Sequence, residues 1–533
     1  MKKIAKIQHL LIKTLNNNIS FCILLLLFIV SPDLYYFLNN GHYLYSIYIL
    51  FQGIILSYII TTFISLFKNK AINNILAFLF VFYAIFILVL DIYCIIAQDD
   101  RFNKNFAAIV LQTNVNETFE FLDKYITLPI FLTIIGTILL IIITIIIVKQ
   151  INKKNKVLIS KIYIILVFCG IPLTIRNYGV YTDGWLGKLI CFKESYIPNL
   201  RTTYSNPIIQ STNTAHPSNV VLIIGESYNK HHSSLYGYKF FTSPRLTSLK
   251  DSSLLYVFNN VTSAATHTIE SFQCILNTYK PELRDSIKWY NSIHLHEILN
   301  LSNYYTYWIS NQSENGMFDN VASAYGALCN EQYWVRNKYH KGGWDTLDDQ
   351  IIELTRPLIS QNHIHKFFFI HLLGSHSDFK KRYPQSFNRL IPNDYNEMPI
   401  NQRQTLAEYD NSILYNDSVI YEVIDLYKEK EAIIIYTADH GLDIFQSNKN
   451  YAGHAKINNK ESVKYGSEIP LFIYTSPLYK KNYPQAIKSI ENNLNKEFRT
   501  DDLIYTIMDI IGVSFKNNND VTKYSLFNGI KYN

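Results

Sequence analysis

Cysteine is scarce in this chain and never closely spaced. Six cysteines occur in 533 residues, and none of them forms the C-x-x-C spacing of a zinc or redox motif. Three lie in long apolar runs, where a small apolar role is expected: Cys22, Cys94 and Cys169. In an oxidising compartment the other three are compatible with one disulfide and one leftover thiol, and the sequence does not select the pair: Cys191, Cys274 and Cys329.

The chain also lacks a surplus of basic residues outside a few short segments. Its formal net charge is +7. Eleven lysines lie in three segments that border apolar runs: Lys2, Lys3, Lys6, Lys13, Lys68, Lys70, Lys149, Lys153, Lys154, Lys156 and Lys161. Because eleven exceeds the net charge, the rest of the chain is slightly acidic, and nucleic acid is not an expected partner.

Long apolar runs fill the first third of the chain. They cover residues 19–30, 44–67, 72–97, 126–148 and 157–175. A bilayer span needs about 20 apolar residues, so we expect five transmembrane helices within residues 1–180. A cleaved signal peptide explains only the first run, which excludes an exported soluble protein. Because the lysine-rich segments alternate with acidic loops, the positive-inside rule places the N-terminus in the cytoplasm and the C-terminal part outside it.

Two segments lie outside the spans, one between the third and fourth spans and one after the fifth. Residues 98–125 carry periodic apolar residues typical of an amphipathic helix on the outer membrane surface, and Thr113 and Glu117 fall one helical turn apart. A solvated helix face is the alternative. Residues 181–217 are irregular and indicate a linker, which leaves residues 218–533 as a separate domain.

Three segments of that domain share one plan, a buried apolar strand followed by a polar side chain. Residues 219–227 lead to Glu226, residues 366–376 lead to His376, and residues 431–441 lead to Asp439 and His440. Such strands are typical of parallel sheets in α/β domains, whose carboxyl ends gather functional groups. Carboxylate and imidazole suit zinc, with manganese left open, so we expect a metal site at this rim. Taken singly, each residue is as well explained by a structural role.

Residues 262–274 contain small and hydroxyl side chains that lead into a helix. A hydroxyl at a helix N-terminus, such as Thr268, can lie where anions and phosphate bind, although a simple cap is the alternative. We also predict a strand at 304–312, helices at 409–423 and 502–512, and a polar loop at 447–467 that contains His454.

Several motifs in this order resemble the phosphoethanolamine transferases, inner-membrane enzymes of Gram-negative bacteria within the alkaline phosphatase and sulfatase superfamily. They are Gly225-Glu226-Ser227, Ser234-Leu235-Tyr236-Gly237-Tyr238, Thr268-Ile269-Glu270-Ser271, Gly374-Ser375-His376, Tyr409-Asp410-Asn411-Ser412, Ala438-Asp439-His440-Gly441 and Glu468-Ile469-Pro470. The resemblance covers nearly the whole chain. It implies five membrane helices followed by a periplasmic α/β domain of the alkaline phosphatase and sulfatase type, with a mainly parallel central sheet.

The resemblance also implies roles for individual residues. Thr268 would be the nucleophile and, with Glu226, Asp439 and His440, a ligand of one zinc ion. His376 and His454 would serve a second metal or the acceptor side. Donor binding would fall to Thr113, Glu117 and Ser313.

By the same resemblance, the donor would be phosphatidylethanolamine and the acceptor lipopolysaccharide, at a core sugar or at lipid A. The segment Thr266-His267-Thr268-Ile269-Glu270 looks closer to members that modify the core. A sulfatase activity is excluded because no Cys-x-Pro-x-Arg context surrounds Thr268. A glycerol phosphate transferase of the lipoteichoic acid synthase type stays open, as does an inactive membrane-anchored binding protein of the same fold.

Overall fold

The computed structural model describes residues 2–98, 101–102, 128–150, 153–176, 200, 209–211, 217–283, 286–312, 321–335, 346–456, 458–516 and 520–527. The chain divides into two compact units, residues 1–196 and 197–533. Most of the predicted linker at 181–217 lies outside the described residues, so its bounds stay a prediction. Thr113, Glu117 and Ser313 also lie outside the described residues, so their role in donor binding stays a prediction.

In its described part, the first unit contains five long helices. They are α1 (Lys2–Asn39), α2 (Tyr43–Ser65), α3 (Lys70–Gln98), α4 (Leu128–Gln150) and α5 (Lys153–Arg176). Each contains a stretch long and apolar enough to cross a membrane: Leu15–Asn39, Tyr43–Ser65, Lys70–Ile96, Leu128–Ile147 and Asn155–Pro172. The five predicted spans are therefore confirmed, and the protein is a multi-pass membrane protein.

Two buried carboxylates of this unit, Asp33 and Asp91, have partners in the stretch that follows α3. Asp33 of α1 lies 3.4 Å from Arg101, and Asp91 of α3 accepts a 3.0 Å hydrogen bond from the backbone N–H of Phe102. These contacts hold the short stretch that follows α3 against two of the helices. Buried carboxylates in an apolar helix are costly, so such partners are expected.

A seven-stranded sheet forms the centre of the second unit. Its strands are β2 (Asn219–Gly225), β3 (Leu255–Phe258), β5 (Tyr305–Ser310), β6 (Glu331–Trp334), β7 (Lys366–His371), β8 (Ala432–Ala438) and β11 (Leu471–Thr475). Across the sheet they follow the order β3-β11-β8-β2-β7-β5-β6. Only β11 runs antiparallel to its neighbours β3 and β8. Every residue of β2, β7 and β8 is buried, because both faces of the sheet are covered.

The remaining strands form small pairs in the described residues. They are β1 (Ile209–Ser211) with β13 (Val513–Phe515), β4 (Val261–Thr262) with β12 (Phe498–Arg499), and β9 (Asp443–Ile444) with β10 (Ala452–Gly453). The first pair is antiparallel and joins the beginning of this unit to a strand near its end.

Helices surround the sheet. They are α6 (Pro244–Asp251), α7 (Thr268–Ile275), α8 (Leu295–Leu301), α9 (Val321–Gly326), α10 (Gln350–Ile359), α11 (Ile400–Asp425), α12 (Lys460–Ser467), α13 (Pro477–Asn482), α14 (Pro484–Asn492), α15 (Leu503–Ile510) and α16 (Asp520–Tyr524). The longest, α11, extends well beyond the predicted 409–423 and buries Tyr409, Asp410 and Asn411.

One expectation needs correction, and one question that the sequence left open is partly answered. The segment predicted as a polar loop at 447–467 contains β10 and α12, because the Asn459 side chain caps α12 by accepting hydrogen bonds from the backbone N–H groups of Glu461 and Ser462. Cys274 and Cys329 both carry free thiols, so no disulfide joins them. Cys191 lies outside the described residues.

Candidate active site at the carboxyl end of the sheet

The three predicted strands lie side by side, and their polar ends meet. Strand β2 is hydrogen-bonded between β8 and β7 and runs parallel to both, with Gly225 opposite Ala438 and Ile224 opposite His371. The residue after β2 is Glu226, and the residues after β8 are Asp439 and His440. All three side chains are fully buried, each with an exposed fraction of 0%. The register of the sheet therefore brings these groups together.

Glu226, Asp439 and His440 form a compact cluster whose ligand atoms all lie within 4.8 Å of one another. The Nε2 atom of His440 is 3.2 Å from Glu226 Oε1 and 3.5 Å from Asp439 Oδ2. On the other side of the ring, His440 Nδ1 lies 2.8 Å from the carbonyl oxygen of Gly441. A proton on Nδ1 donates there, which leaves Nε2 directed at the carboxylates.

Thr268, the first residue of α7, points its hydroxyl into this cluster. Its Oγ1 atom lies 3.1 Å from Glu226 Oε2 and 3.1 Å from His440 Nε2. The preceding loop is anchored by Ser263, whose hydroxyl donates to the carbonyl oxygen of Asp439 and whose backbone N–H donates to Ser467 at 2.7 Å. The hydroxyl is thus fixed among charged groups at a helix N-terminus, an arrangement that favours an anion.

Ser227 links the two carboxylates. Its hydroxyl donates to Glu226 Oε1 at 2.7 Å, and its backbone N–H donates to Asp439 Oδ1 at 3.1 Å. The backbone at Ser227 is left-handed, with φ of 60°. A non-glycine residue in this region is strained, and the surrounding hydrogen bonds offset the cost.

The loop after β7 contacts Glu226 through its backbone. Gly374 has φ of +54°, and a Cβ atom there would lie 2.7 Å from the carbonyl oxygen of Glu226. Asp348 accepts the N–H groups of Leu373 at 2.9 Å and Gly374 at 2.8 Å. Glycine is required by both its φ and the space, and the loop that ends at His376 is held against Glu226.

The charges of the cluster shift its pKa values strongly. Burial raises the pKa of Glu226, but the hydrogen bond and charge of His440 outweigh burial and hold that pKa well below its usual range. Burial and the neighbouring charge of Glu226 raise the pKa of Asp439 well above its usual range. Burial lowers the pKa of His440, but Asp439 and Glu226 outweigh it and raise the pKa to about 9. Two crowded carboxylates thus share one cation.

The cluster fits a divalent metal ion. Two carboxylates and an imidazole are the donor set that zinc accepts, and a fourth position faces the Thr268 hydroxyl. Among the described residues, no group donates a hydrogen bond to the buried Asp439 Oδ2. A buried carboxylate oxygen without a donor is costly unless a cation meets it.

Of the two histidines predicted for a second metal or the acceptor, His454 lies beside the cluster, with its ring centroid 4.9 Å from that of His440. His376 is close enough for its charge to lower the pKa of Glu226. Neither belongs to the compact cluster of three.

The sequence did not single out three residues that shape the site. His267 stacks on His454, Ser227 bridges the carboxylates, and Asp348 holds the loop before His376. Burial lowers the pKa of His267 to about 3, and the charge of His440 contributes. The sequence shows that His267 precedes Thr268, but the contact of His267 with His454 depends on where the fold places a loop far along the chain.

The sequence profile of the sulfatase family matches residues 218–513, more than half of the chain. The chain belongs to the sulfatase family. It is 26% identical over 308 residues to the phosphoethanolamine transferase EptC of Escherichia coli K12, a match that covers 56% of this chain and 52% of that relative. It is 26% identical over 460 residues to the phosphoethanolamine transferase EptA of Helicobacter pylori, covering 81% of each. The chain thus spans about half the length of the EptC relative, and the predicted resemblance to phosphoethanolamine transferases is confirmed.

Solved structures agree in fold. The integral membrane lipooligosaccharide phosphoethanolamine transferase A of Neisseria meningitidis superposes with a TM-score of 0.62 at 19% identity, covering 87% of this chain and 94% of that one. The periplasmic domain of Escherichia coli EptC in complex with Zn gives a TM-score of 0.55 at 24% identity, covering 63% of this chain and 92% of that one. The predicted fold class, five apolar helices followed by a sulfatase-type domain with a mainly parallel sheet, is confirmed.

Proposed function

We propose that this protein transfers phosphoethanolamine from phosphatidylethanolamine to lipopolysaccharide through a covalent adduct on Thr268. The observation that carries the proposal is the position of Thr268 Oγ1, 3.1 Å from both Glu226 Oε2 and His440 Nε2. A hydroxyl at the start of a helix and beside a metal-type cluster has the placement expected of an activated nucleophile. A protein that only binds lipid has no need of that placement.

In the first half of the reaction, Thr268 Oγ1 forms a bond to phosphorus. The bond from phosphorus to the glycerol oxygen breaks, and diacylglycerol leaves with the electron pair and the proton that Thr268 loses. Glu226 can accept a hydrogen bond from the hydroxyl before it reacts, and the N-terminal backbone N–H groups of α7 favour the phosphoryl oxygens.

Four residues would hold one zinc ion: Glu226, Asp439, His440 and Thr268. When bound, zinc supplies Lewis-acid chemistry that lowers the pKa of a coordinated hydroxyl and offsets charge on phosphoryl oxygens. Support comes from the donor set and from the Zn complex of the EptC periplasmic domain. His376 and His454 would serve a second metal or the acceptor.

The donor fits the membrane unit. We propose that the spans lie in a bacterial inner membrane, with the domain at 218–533 in the periplasm. The support is that lysine-rich segments alternate with acidic loops between the spans. The donor would be a lipid of that membrane, and Thr113, Glu117 and Ser313 would hold it. A carboxylate such as Glu117 suits the ethanolamine ammonium group.

The test is mass spectrometry of lipopolysaccharide, separated into lipid A and core, from cells that express the wild type or Thr268→Ala. We expect phosphoethanolamine on one fraction with the wild type and none with the variant. Thr262→Ala, which removes a nearby hydroxyl outside the cluster, should behave as the wild type. An unchanged lipopolysaccharide with well-expressed, zinc-loaded protein would contradict the proposed acceptor.

A further inference from the structure

Two histidine rings beside Thr268 stack face to face. The ring centroids of His267 and His454 lie 4.8 Å apart, and the ring planes differ by 6°. Parallel aromatic rings at this centroid separation attract each other beyond what burial alone gives. The two residues come from separate parts of the fold, because His267 immediately precedes α7 and His454 immediately follows β10.

The His454 ring has a neighbour on a second side. Its centroid lies 4.9 Å from that of His440, and the Tyr451 hydroxyl donates a 2.6 Å hydrogen bond to the His454 carbonyl oxygen. His267 is itself buried, with an exposed fraction of 8%, so its ring is held in place against His454. The His454 ring is therefore held between the residue next to the nucleophile and a residue of the metal-type cluster.

His454 differs from the cluster in exposure. His454 is half-buried, whereas Glu226, Asp439 and His440 are fully buried. An incoming acceptor can therefore touch His454 more readily than it can touch the carboxylates.

We propose that His267 is a positioning residue, which holds His454 where it contacts the acceptor in the second half of the transfer. The inference rests on the proposed function. In that half, the acceptor hydroxyl oxygen bonds to phosphorus and the bond from phosphorus to Thr268 Oγ1 breaks. Oγ1 keeps the electron pair and takes up the proton that the acceptor hydroxyl loses.

The two halves are separated by a quench experiment on the full chain in detergent micelles. Phosphatidylethanolamine is added first and purified lipopolysaccharide second, and mass spectrometry follows the adduct on Thr268. With His267→Ser, which removes the ring, the adduct should form within about twofold of the wild-type rate but disappear about three- to tenfold more slowly. With His267→Phe, which keeps a ring for stacking, both rates should stay within about twofold of the wild type.

The inference is overturned if His267→Phe slows the second half as much as His267→Ser, or if His267→Ser slows neither half. It is also overturned if His267→Ser adds its full effect to that of His454→Ala, because the proposed role acts through His454. Zinc content after dialysis should be equal in the wild type, His267→Ser and His267→Phe, and its loss in His267→Ser would assign His267 to the metal instead.

A failed proposed function would appear differently, as a wild type that forms no adduct on Thr268. The stack itself is then tested by thermal unfolding of the wild type, His267→Ser, His454→Ala and the double variant. We expect the melting temperature of the double variant to fall by less than the sum of the falls in the two single variants, since either change alone removes the contact. Additive losses would overturn the inference whatever the reaction.

Discussion

The hydroxyl of Tyr409 donates a 2.7 Å hydrogen bond to the backbone carbonyl oxygen of Ser227. The same hydroxyl accepts the N–H of Asn229 at 2.9 Å. One side chain of α11 thus fixes the backbone on both sides of Tyr228, in the turn that begins at Glu226. The motif that contains Tyr409 is therefore tied to the candidate metal cluster without any contact to a reacting group.

Replacing Tyr409 with phenylalanine should destabilise the domain by about 1–3 kcal/mol, because a buried carbonyl and a buried N–H lose their partner. The measurement is denaturant unfolding of the full chain in micelles, followed by tryptophan fluorescence. Tyr290→Phe, at a half-buried position, should cost much less. Equal losses in the two variants would contradict the role given to the Tyr409 hydroxyl.

Replacing Gly374 with alanine should be among the most damaging single changes in this domain. The new Cβ would meet the backbone of Glu226 at 2.7 Å and 2.8 Å, and φ is +54°. We expect a loss of at least about 2 kcal/mol in stability and a fall in bound zinc, since Glu226 must move. Gly237→Ala is the matched control: φ is +92°, no atom lies within 4 Å, and only about 1 kcal/mol of backbone strain should appear. Similar melting temperatures for the two variants would refute the close approach.

Removing a carboxylate from the cluster should remove the metal. Glu226→Gln should weaken zinc binding by at least about 100-fold, since changes that only affect the support of a ligand already cost about 10–100-fold. Zinc per protein after dialysis, measured by plasma mass spectrometry, gives the result. Glu468→Gln, which alters a partly exposed carboxylate paired with His231 outside the cluster, should retain zinc. A zinc-loaded Glu226→Gln protein would place the metal elsewhere.

A buried histidine away from the site should make the domain sensitive to acid. His296 stacks on Phe369 with centroids 4.6 Å apart, and burial, with a contribution from the charge of His294, lowers its pKa to about 3. The unfolded chain, with a histidine pKa of about 6.5, binds the proton first as the pH falls, so stability is lost below about pH 6.5. At about pH 5 this single group costs about 2 kcal/mol.

The check is denaturant unfolding near pH 7 and near pH 5. His296→Phe should fit the stack, because no hydrogen bond reaches either ring nitrogen within the described residues. It should reduce the loss between the two pH values by about 2 kcal/mol. A variant that loses as much stability as the wild type would show that His296 does not carry this dependence.

Much of the fold could be read from the sequence because its signals were local. Five apolar runs predicted five spans, and three buried strands predicted a sheet whose central members are β8, β2 and β7. The adjacency of Glu226 to Asp439 and His440 follows from parallel strands that end together. Each of these inferences needs only periodicity and the rule that connects strand ends to sites.

The remainder depended on contacts between distant segments. Helix α12 is short and polar, and its stability comes from the Asn459 cap and from burial of Ser462 and Gly466, which periodicity does not reveal. The His267 stack brings together residues from two separate loops. The free thiols of Cys274 and Cys329 likewise depend on where the chain places each sulfur atom.

The antiparallel pair of β1 and β13 has a consequence for engineering. Ile209 lies opposite Phe515, so the entrance and the exit of the second unit are neighbours in space. If the two ends of this unit are joined there by a short linker, and new ends are opened at an exposed loop, the unit should keep the same melting temperature. Circular permutation would then leave the cluster intact but connect this unit to the membrane helices at a different point in its sequence.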